Sequence, residues 1–256
     1  MKNRLILTPF FLDEFLPGLE SLAPSDWHIN KPDLPDGDIQ HRLSAIHQTL
    51  AHFAAETIEN NELPVSIAGD CCTAIGMLAG LHRAGVKPIL IWFDAHGDFN
   101  TWDTTPSGFL GGMPLAMLVG RGEQTMLEAL ELSPLAESMV VLSDARDLDP
   151  EEQKLVETSN INHLPDVNAL FDYPFPPCPV YVHLDTDIVN PNEAPAMNYP
   201  AKGGPSSSDL TRIFAYLYQS GNLAAVSVST WNPELDKNGQ SRKVCMQLIN
   251  ALLGNR

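Results

Sequence analysis

Two short stretches concentrate the chemistry of this chain. Ile91–Asp98 reads Ile-Trp-Phe-Asp-Ala-His-Gly-Asp, and Val180–Asp187 reads Val-Tyr-Val-His-Leu-Asp-Thr-Asp. Each is an apolar run that ends abruptly in carboxylates. Side chains two apart on a strand share a face. Asp94 and His96 are therefore predicted to point the same way, as are Asp185 and Asp187, with Asp98 following where the chain leaves the strand. Carboxylates crowded together repel one another unless protons or cations compensate them. A set of four aspartates and one histidine is oxygen-rich and hard, which favours manganese or magnesium over zinc, and the imidazole tips the choice toward manganese. Two such ions sharing bridging carboxylates would lower the pKa of a water between them and supply hydroxide near neutral pH as a nucleophile. A single aspartate after a strand is ordinarily a turn or a helix cap. Two clusters of the same make, both after apolar strands, argue for one shared site. His183 alternates with Val182 and Leu184 and reads as a core or supporting histidine rather than a ligand.

The elements that must carry these residues follow from apolar patterning. Leu5 to Leu7, Pro64 to Ala68, Pro88 to Phe93, Met139 to Leu142, Pro179 to Leu184 and Ala224 to Val228 are strand candidates. Their near-continuous apolar character marks strands buried on both faces, as in a parallel sheet. Between them, Ile39 to Ile58 and Thr73 to Ala84 have helical spacing. Asp149-Pro150-Glu151-Glu152 is a helix start, with a capping acid, a proline in the first turn and acids at the positive end. Ser206 to Asp209 caps a helix that reaches about Gln219, and Ser241 to Leu253 is a closing helix. Alternation of this kind predicts a three-layer α/β/α fold with a mainly parallel central sheet, in which ligands bind outside the carboxyl ends of the strands. Both clusters fall at that end. Loops around Thr101 to Pro114, Tyr173 to Pro177 and Asn190 to Pro205 are long for connectors, which suggests functional segments.

Length and composition bound the reading. The 256 residues, 44% hydrophobic and only 18% charged, suit a single domain, 1–256, with a sizeable core. With 15 basic against 32 acidic residues the formal charge is −17, which opposes nucleic acid and anionic membranes as main partners and leaves a small-molecule substrate. The amino terminus lacks a signal peptide's apolar stretch, and no apolar run is long enough to span a bilayer. Cys71, Cys72, Cys178 and Cys245 are few and irregularly spaced, which fits free thiols in a reducing, cytoplasmic setting.

Asp94-Ala95-His96-Gly97-Asp98, followed by Asn100-Thr101 and Thr104-Thr105-Pro106-Ser107-Gly108, resembles the signature of the arginase and agmatinase (ureohydrolase) family. Asp185-Thr186-Asp187 is similar to that family's other metal motif, and Ala68-Gly69-Asp70-Cys71 stands where it carries Gly-Gly-Asp-His. Arg146 to Pro150 and Trp231-Asn232-Pro233 match further landmarks, so the resemblance runs from about Val65 to the carboxyl terminus. It implies a dinuclear manganese centre and hydrolysis of a linear, non-peptide guanidino carbon–nitrogen bond. Carried over by position, Asp94 and Asp185 would bridge both metals, His96 and Asp187 would serve one, and Asp98 the other. Asp98 would also accept and pass protons. Asn100 and Ser107 would meet the far end of the substrate, with Asp149 nearby. A homo-oligomer is common in the family, although the sequence itself does not read one.

Four departures shape the expected substrate. Cys71 replaces a histidine ligand. A thiolate is a poorer match to manganese, so either one metal binds weakly or Cys71 is a small buried residue and no ligand. Gly111 replaces a proton-shuttling histidine, and Phe109 an amide that meets the amino-acid end. Thr230 stands where a glutamate pairs with the guanidinium, and it belongs among the substrate-binding candidates. Losing that carboxylate removes a charge-assisted pair. The chain is thus more similar to the branch that hydrolyses N-omega-hydroxy-L-arginine than to arginases proper, and the expected substrate is a modified or neutral guanidino-like compound. Two other classes stay open: a non-catalytic binding or regulatory relative, and a deacetylase-type amide hydrolase on the same fold.

Overall fold

The computed structural model describes residues 2–255. In chain order the strands are β1 (Asn3–Thr8), β2 (Phe10–Phe11), β3 (Glu14–Phe15), β4 (His28–Ile29), β5 (Leu63–Ala68), β6 (Ile89–Asp94), β7 (Val140–Asp144), β8 (Asn162–Leu164), β9 (Val180–Asp185) and β10 (Leu223–Ser229). The helices are α1 (Pro17–Glu20), α2 (Ile39–Glu59), α3 (Thr73–Arg83), α4 (Pro114–Leu118), α5 (Thr125–Ala129), α6 (Pro150–Thr158), α7 (Ser207–Gln219) and α8 (Gln240–Leu252). Eight strands form one sheet in the order β4-β1-β5-β10-β9-β6-β7-β8. All its pairings are parallel. The expected three-layer α/β/α fold is what forms.

Strand alternation divides the core. Leu90 and Trp92 of β6 turn toward the layer of α2 and α3, among Leu43, Ile46, Leu50, Ile75 and Leu78. Ile89, Ile91 and Phe93 turn to the opposite layer, with Ile213, Phe214, Leu248 and Ile249 of α7 and α8. Both faces of the strand are buried, which is why its sequence is apolar without a break. Asp38 caps α2 by accepting from His41 N at 2.8 Å, and Ser206 caps α7 by accepting from Asp209 N at 3.1 Å. No helix among the described residues is long and apolar enough to cross a membrane.

The structure adds elements that patterning did not predict. The edge strands β4 and β8 are two and three residues long, and each arm of the β2–β3 hairpin is two. The loop Thr101 to Pro114 closes on a 3-10 turn at Leu110–Gly112 and leads straight into α4. The loop Asn190 to Pro205 is held from below by Arg146. That guanidinium pairs with Asp144 and donates to the carbonyls of Ile188, Ala201 and Lys202.

Candidate metal centre

β6 and β9 lie side by side in the middle of the sheet, and both end at the same level in an aspartate. Beyond each, the backbone makes the same turn. Asp94 Oδ1 accepts from His96 N at 2.7 Å, and Asp185 Oδ1 accepts from Asp187 N at 2.8 Å. His96 and Asp187 thus stand on turns after their strands rather than on a strand face. Asp94 and His96 still meet as expected, whereas Asp185 and Asp187 fall into different groups, which corrects that half of the expected pairing. Donor atoms of Asp94, His96 and Asp187 come together in one group, and those of Cys71, Asp94 and Asp185 in another, with all donors in a group within 4.8 Å of one another. Asp94 belongs to both. Asp98, expected with them, falls in neither group, yet its carboxylate is buried beside them and its Oδ2 has no hydrogen-bond partner. Its φ of 49° puts a non-glycine residue in the left-handed region. The carbonyl of Asp98 accepts from Leu115 N and Ala116 N at the start of α4, which holds that turn in place.

The electrostatics follow from burial. Burial and the neighbouring charge of Asp185 raise Asp94 above the usual carboxylate range. Burial, Asp94 and Asp185 push Asp98 well above it. Burial, then the charge of Asp187, pushes Asp185 up to about 8, and burial with Asp94 raises Asp187 to about 6. Burial alone would lower His96, but hydrogen bonds to Asp187 and Asp94 and their charges outweigh it and push the imidazole up to about 12. His96 Nδ1 lies 3.0 Å from Asp187 Oδ2 and 3.5 Å from Asp94 Oδ1. The cluster thus draws in positive charge. Hard carboxylate oxygens in two cation-sized groups, an imidazole, and an orphaned buried oxygen on Asp98 fit a pair of divalent cations.

Cys71 is in the group, at 3.0 Å from Asp185 Oδ2 and 3.9 Å from Asp94 Oδ2. Its Sγ also lies 3.0 Å from Ser229 Oγ, on the last residue of β10. Burial, then the charges of Asp185, Asp98 and Asp94, raise its thiol well above the usual range. Behind it runs a buried polar chain. Ser229 Oγ lies 3.5 Å from His183 Nε2, His183 Nδ1 is 2.7 Å from Ser227 Oγ, and Ser227 Oγ is 2.7 Å from Tyr181 Oη. His183 stacks on Trp92 at 3.9 Å between centroids, and Trp92 Nε1 donates to Asp94 Oδ2 at 3.2 Å. The supporting role expected for His183 is its observed place. Cys72 is fully buried.

Above the carboxylates opens a cavity of about 430 Å³. Every residue singled out from sequence lines it: Cys71, Asp94, His96, Asp98, Asp185 and Asp187 at the floor, and Asn100, Ser107, Asp149 and Thr230 on the walls. Asn100 Nδ2 donates to Asp149 Oδ2 at 3.0 Å, and its Oδ1 accepts from Thr104 Oγ1 at 3.0 Å. Ser107 is exposed at the mouth, where its Oγ accepts from Phe109 N at 3.2 Å. Thr230 N donates to Ala68 O at 2.8 Å, while its Oγ1 is buried without a partner.

The lining residues that the sequence reading did not single out include Glu152, Asp70, Phe11 and Tyr199. Glu152 accepts from Phe99 N at 2.8 Å and Asp149 N at 3.2 Å, and burial pushes it up to about 7. Its place three residues after Asp149 is the capping-box spacing that could have found it. Asp70 accepts from Leu12 N and Cys72 N and ties the hairpin to the floor. Phe11 comes from β2, and Tyr199 from the loop Asn190 to Pro205, whose length alone had marked it.

The comparisons with known proteins agree with this geometry. Residues 20–254 match the family described as Arginase family. The arginase of Bacillus subtilis (strain 168) is 30% identical over 246 residues, which cover 90% of this chain and 83% of that protein. The chain belongs to the arginase family. A crystal structure of arginase from Bacillus subtilis superposes with a TM-score of 0.83 at 25% identity, over 100% of this chain and 99% of that one. An Entamoeba histolytica arginase solved in complex with L-ornithine shares the fold, with a TM-score of 0.81 at 20% identity over 99% of this chain and 100% of that one. Two ligand clusters in an arginase-family fold support a metal-dependent hydrolase.

Proposed function

We propose that this arginase-family chain is a single catalytic domain that hydrolyses a linear carbon–nitrogen bond in a modified or neutral guanidino-like compound, with two manganese ions as cofactor. The observation that carries the reading is the meeting of Asp94, His96, Asp187, Cys71 and Asp185 in two groups that share Asp94, with Asp98 lining the same cavity beside them. Asp94, His96 and Asp187 would hold one ion. Cys71, Asp94 and Asp185, joined by the free oxygen of Asp98, would hold the other. When bound, the ions supply Lewis acidity that brings the ionisation of water toward neutral pH.

The protein's own groups would do the rest. Asp98, buried beside the two groups with a free carboxylate oxygen, is placed to accept a proton from the attacking water and pass it to the departing nitrogen. Asn100, fixed by Asp149 and Thr104, and Ser107 at the mouth orient the far end of the substrate. Thr230 presents an unpartnered hydroxyl rather than a carboxylate to the head group. A hydroxyl can bond either a donor or an acceptor, which suits a hydroxyguanidine or urea better than a guanidinium. N-hydroxyarginine carries such a head group, and this is what favours that branch over arginine itself.

The test is metal analysis of the purified protein with a panel of guanidino, hydroxyguanidino and ureido compounds. The proposal expects manganese-dependent release of hydroxyurea from the hydroxyguanidino members, or of ammonia and carbon dioxide by way of carbamate from the ureido members. Stoichiometric metal with no turnover across the panel would replace it with the binding-protein reading, and acetate release from acylated amines with the deacetylase reading.

A further inference from the structure

Phe109 and Gly111 form one device. A Cβ built on Gly111 would lie 2.4 Å from Phe109 Cζ and 2.5 Å from its Cε1. The phenyl ring therefore occupies the space into which any side chain at position 111 would project. The two departures noted in the sequence are a single exchange: an aromatic ring has moved in where residue 111 has no side chain.

That ring does not stand alone. Phe11, delivered by the β2–β3 hairpin, stacks on Phe109 with centroids 6.1 Å apart and planes 15° apart. Tyr199, from the loop Asn190 to Pro205, sits 5.4 Å away on another side at 43°. Tyr199 is 52% exposed although its ring is aromatic and lines the cavity. The three come from separate segments of the chain and meet on the lining of the cavity.

The charges of the cavity point the same way. Among the described residues that line it, eight are Asp or Glu and none is Lys or Arg. A ligand carboxylate at the mouth would meet Asp147 and Asp149 with no cationic side chain to offset them. An aromatic tail would instead find flat apolar partners at contact distance.

We propose that the aromatic rim of Phe11, Phe109 and Tyr199 selects a substrate whose tail is an aryl group without a carboxylate, in place of an amino-acid tail. This rests on the proposed head-group chemistry, and names the other half of the substrate.

The test holds the head group constant. Binding of an N-hydroxyguanidine with a 3-phenylpropyl tail is compared with binding of N-hydroxy-L-arginine, by calorimetry on the manganese-loaded protein. The phenylpropyl compound is expected to bind about tenfold tighter, the upper range for aromatic contacts of this kind. Phe109→Ala and Tyr199→Ala should each erase most of that preference while leaving the melting temperature near wild type. The double variant Phe109→Asn with Gly111→His should reverse it, whereas Gly111→His alone should lower the affinity for both compounds, because the new ring meets Phe109. Equal or tighter binding of N-hydroxy-L-arginine to the wild type, absence of phenylpropyl binding, or an undiminished preference in Phe109→Ala overturns the proposal. Rim-dependent binding without turnover would sink the hydrolase reading and leave the rim standing; turnover of both compounds with no preference would do the reverse.

Discussion

Replacing Cys71 by histidine should repair one of the two cation positions, and the size of the effect can be worked from the thiol's surroundings. A thiol must lose its proton before it binds metal. An ordinary thiol titrates near about 8.5, so at pH 7.5 deprotonation already costs about tenfold in affinity. Burial and the charges of Asp185, Asp98 and Asp94 raise the cost further for Cys71. An imidazole, neutral above its ordinary pKa of about 6.5, carries no such penalty and is a harder donor. Cys71 lines the cavity, so the larger ring has open space on one side. Cys71→His is expected to tighten the weaker manganese site by at least about tenfold at pH 7.5. The wild-type affinity at that site should climb by up to about tenfold per pH unit between pH 7 and 9, whereas the variant's should be nearly flat. Calorimetric titration at several pH values, with metal counted after dialysis, measures both quantities. Identical stoichiometry, affinity and pH slope in the two proteins would show that Cys71 does not stand at a cation position.

Three more outcomes follow from the same geometry. Folded-state values raised above the unfolded ones give stability that is lost as pH rises; Asp185 at about 8, Glu152 at about 7 and His96 at about 12 all have that sign between pH 6.5 and 8. The metal-free protein should therefore lose about 2–4 kcal/mol, roughly 5–15 °C in melting temperature, across that window, and manganese should flatten the slope; a melting temperature that rises with pH in scanning calorimetry would contradict it. Asp98→Asn should cut steady-state turnover by at least about a hundredfold while its melting temperature holds or rises, because a strained buried acid is removed; undiminished turnover would take the proton-carrying role from Asp98. At Gly97 an added Cβ would meet Glu152 Oε1 and Leu148 Cδ2 at 2.6 Å, so Gly97→Ala should lower the stability by about 1–3 kcal/mol in denaturant titration; an unchanged midpoint would mean that Glu152 is not pinned as its two backbone donors suggest.

Much of this was legible in the sequence because the central strands are extreme. β6 and β9 are buried on both faces, so β6 carries no polar residue before Asp94 and β9 is apolar up to the site but for Tyr181 and His183. Helix caps such as Asp38 and Ser206 are likewise local chemistry. The error in the ligand geometry was also local. Asp187 and His96 follow side-chain-to-backbone turns rather than strand alternation, and a spacing of two residues is the same in either case. What the sequence withheld is non-local. The edge strands β4 and β8 are too short for a period to register. Phe11 and Tyr199 reach the mouth through a hairpin and a loop pinned by Arg146, and nothing near them in the chain announces a shared wall. Phe109 and Gly111 were visible as two separate departures; only the fold makes them one.

The central claim is tested most directly by anomalous scattering from crystals of the protein grown with manganese. The account predicts two manganese peaks, one bounded by Asp94, His96 and Asp187 and the other by Cys71, Asp94 and Asp185. Crystals grown in excess manganese with no peak among these side chains would contradict it.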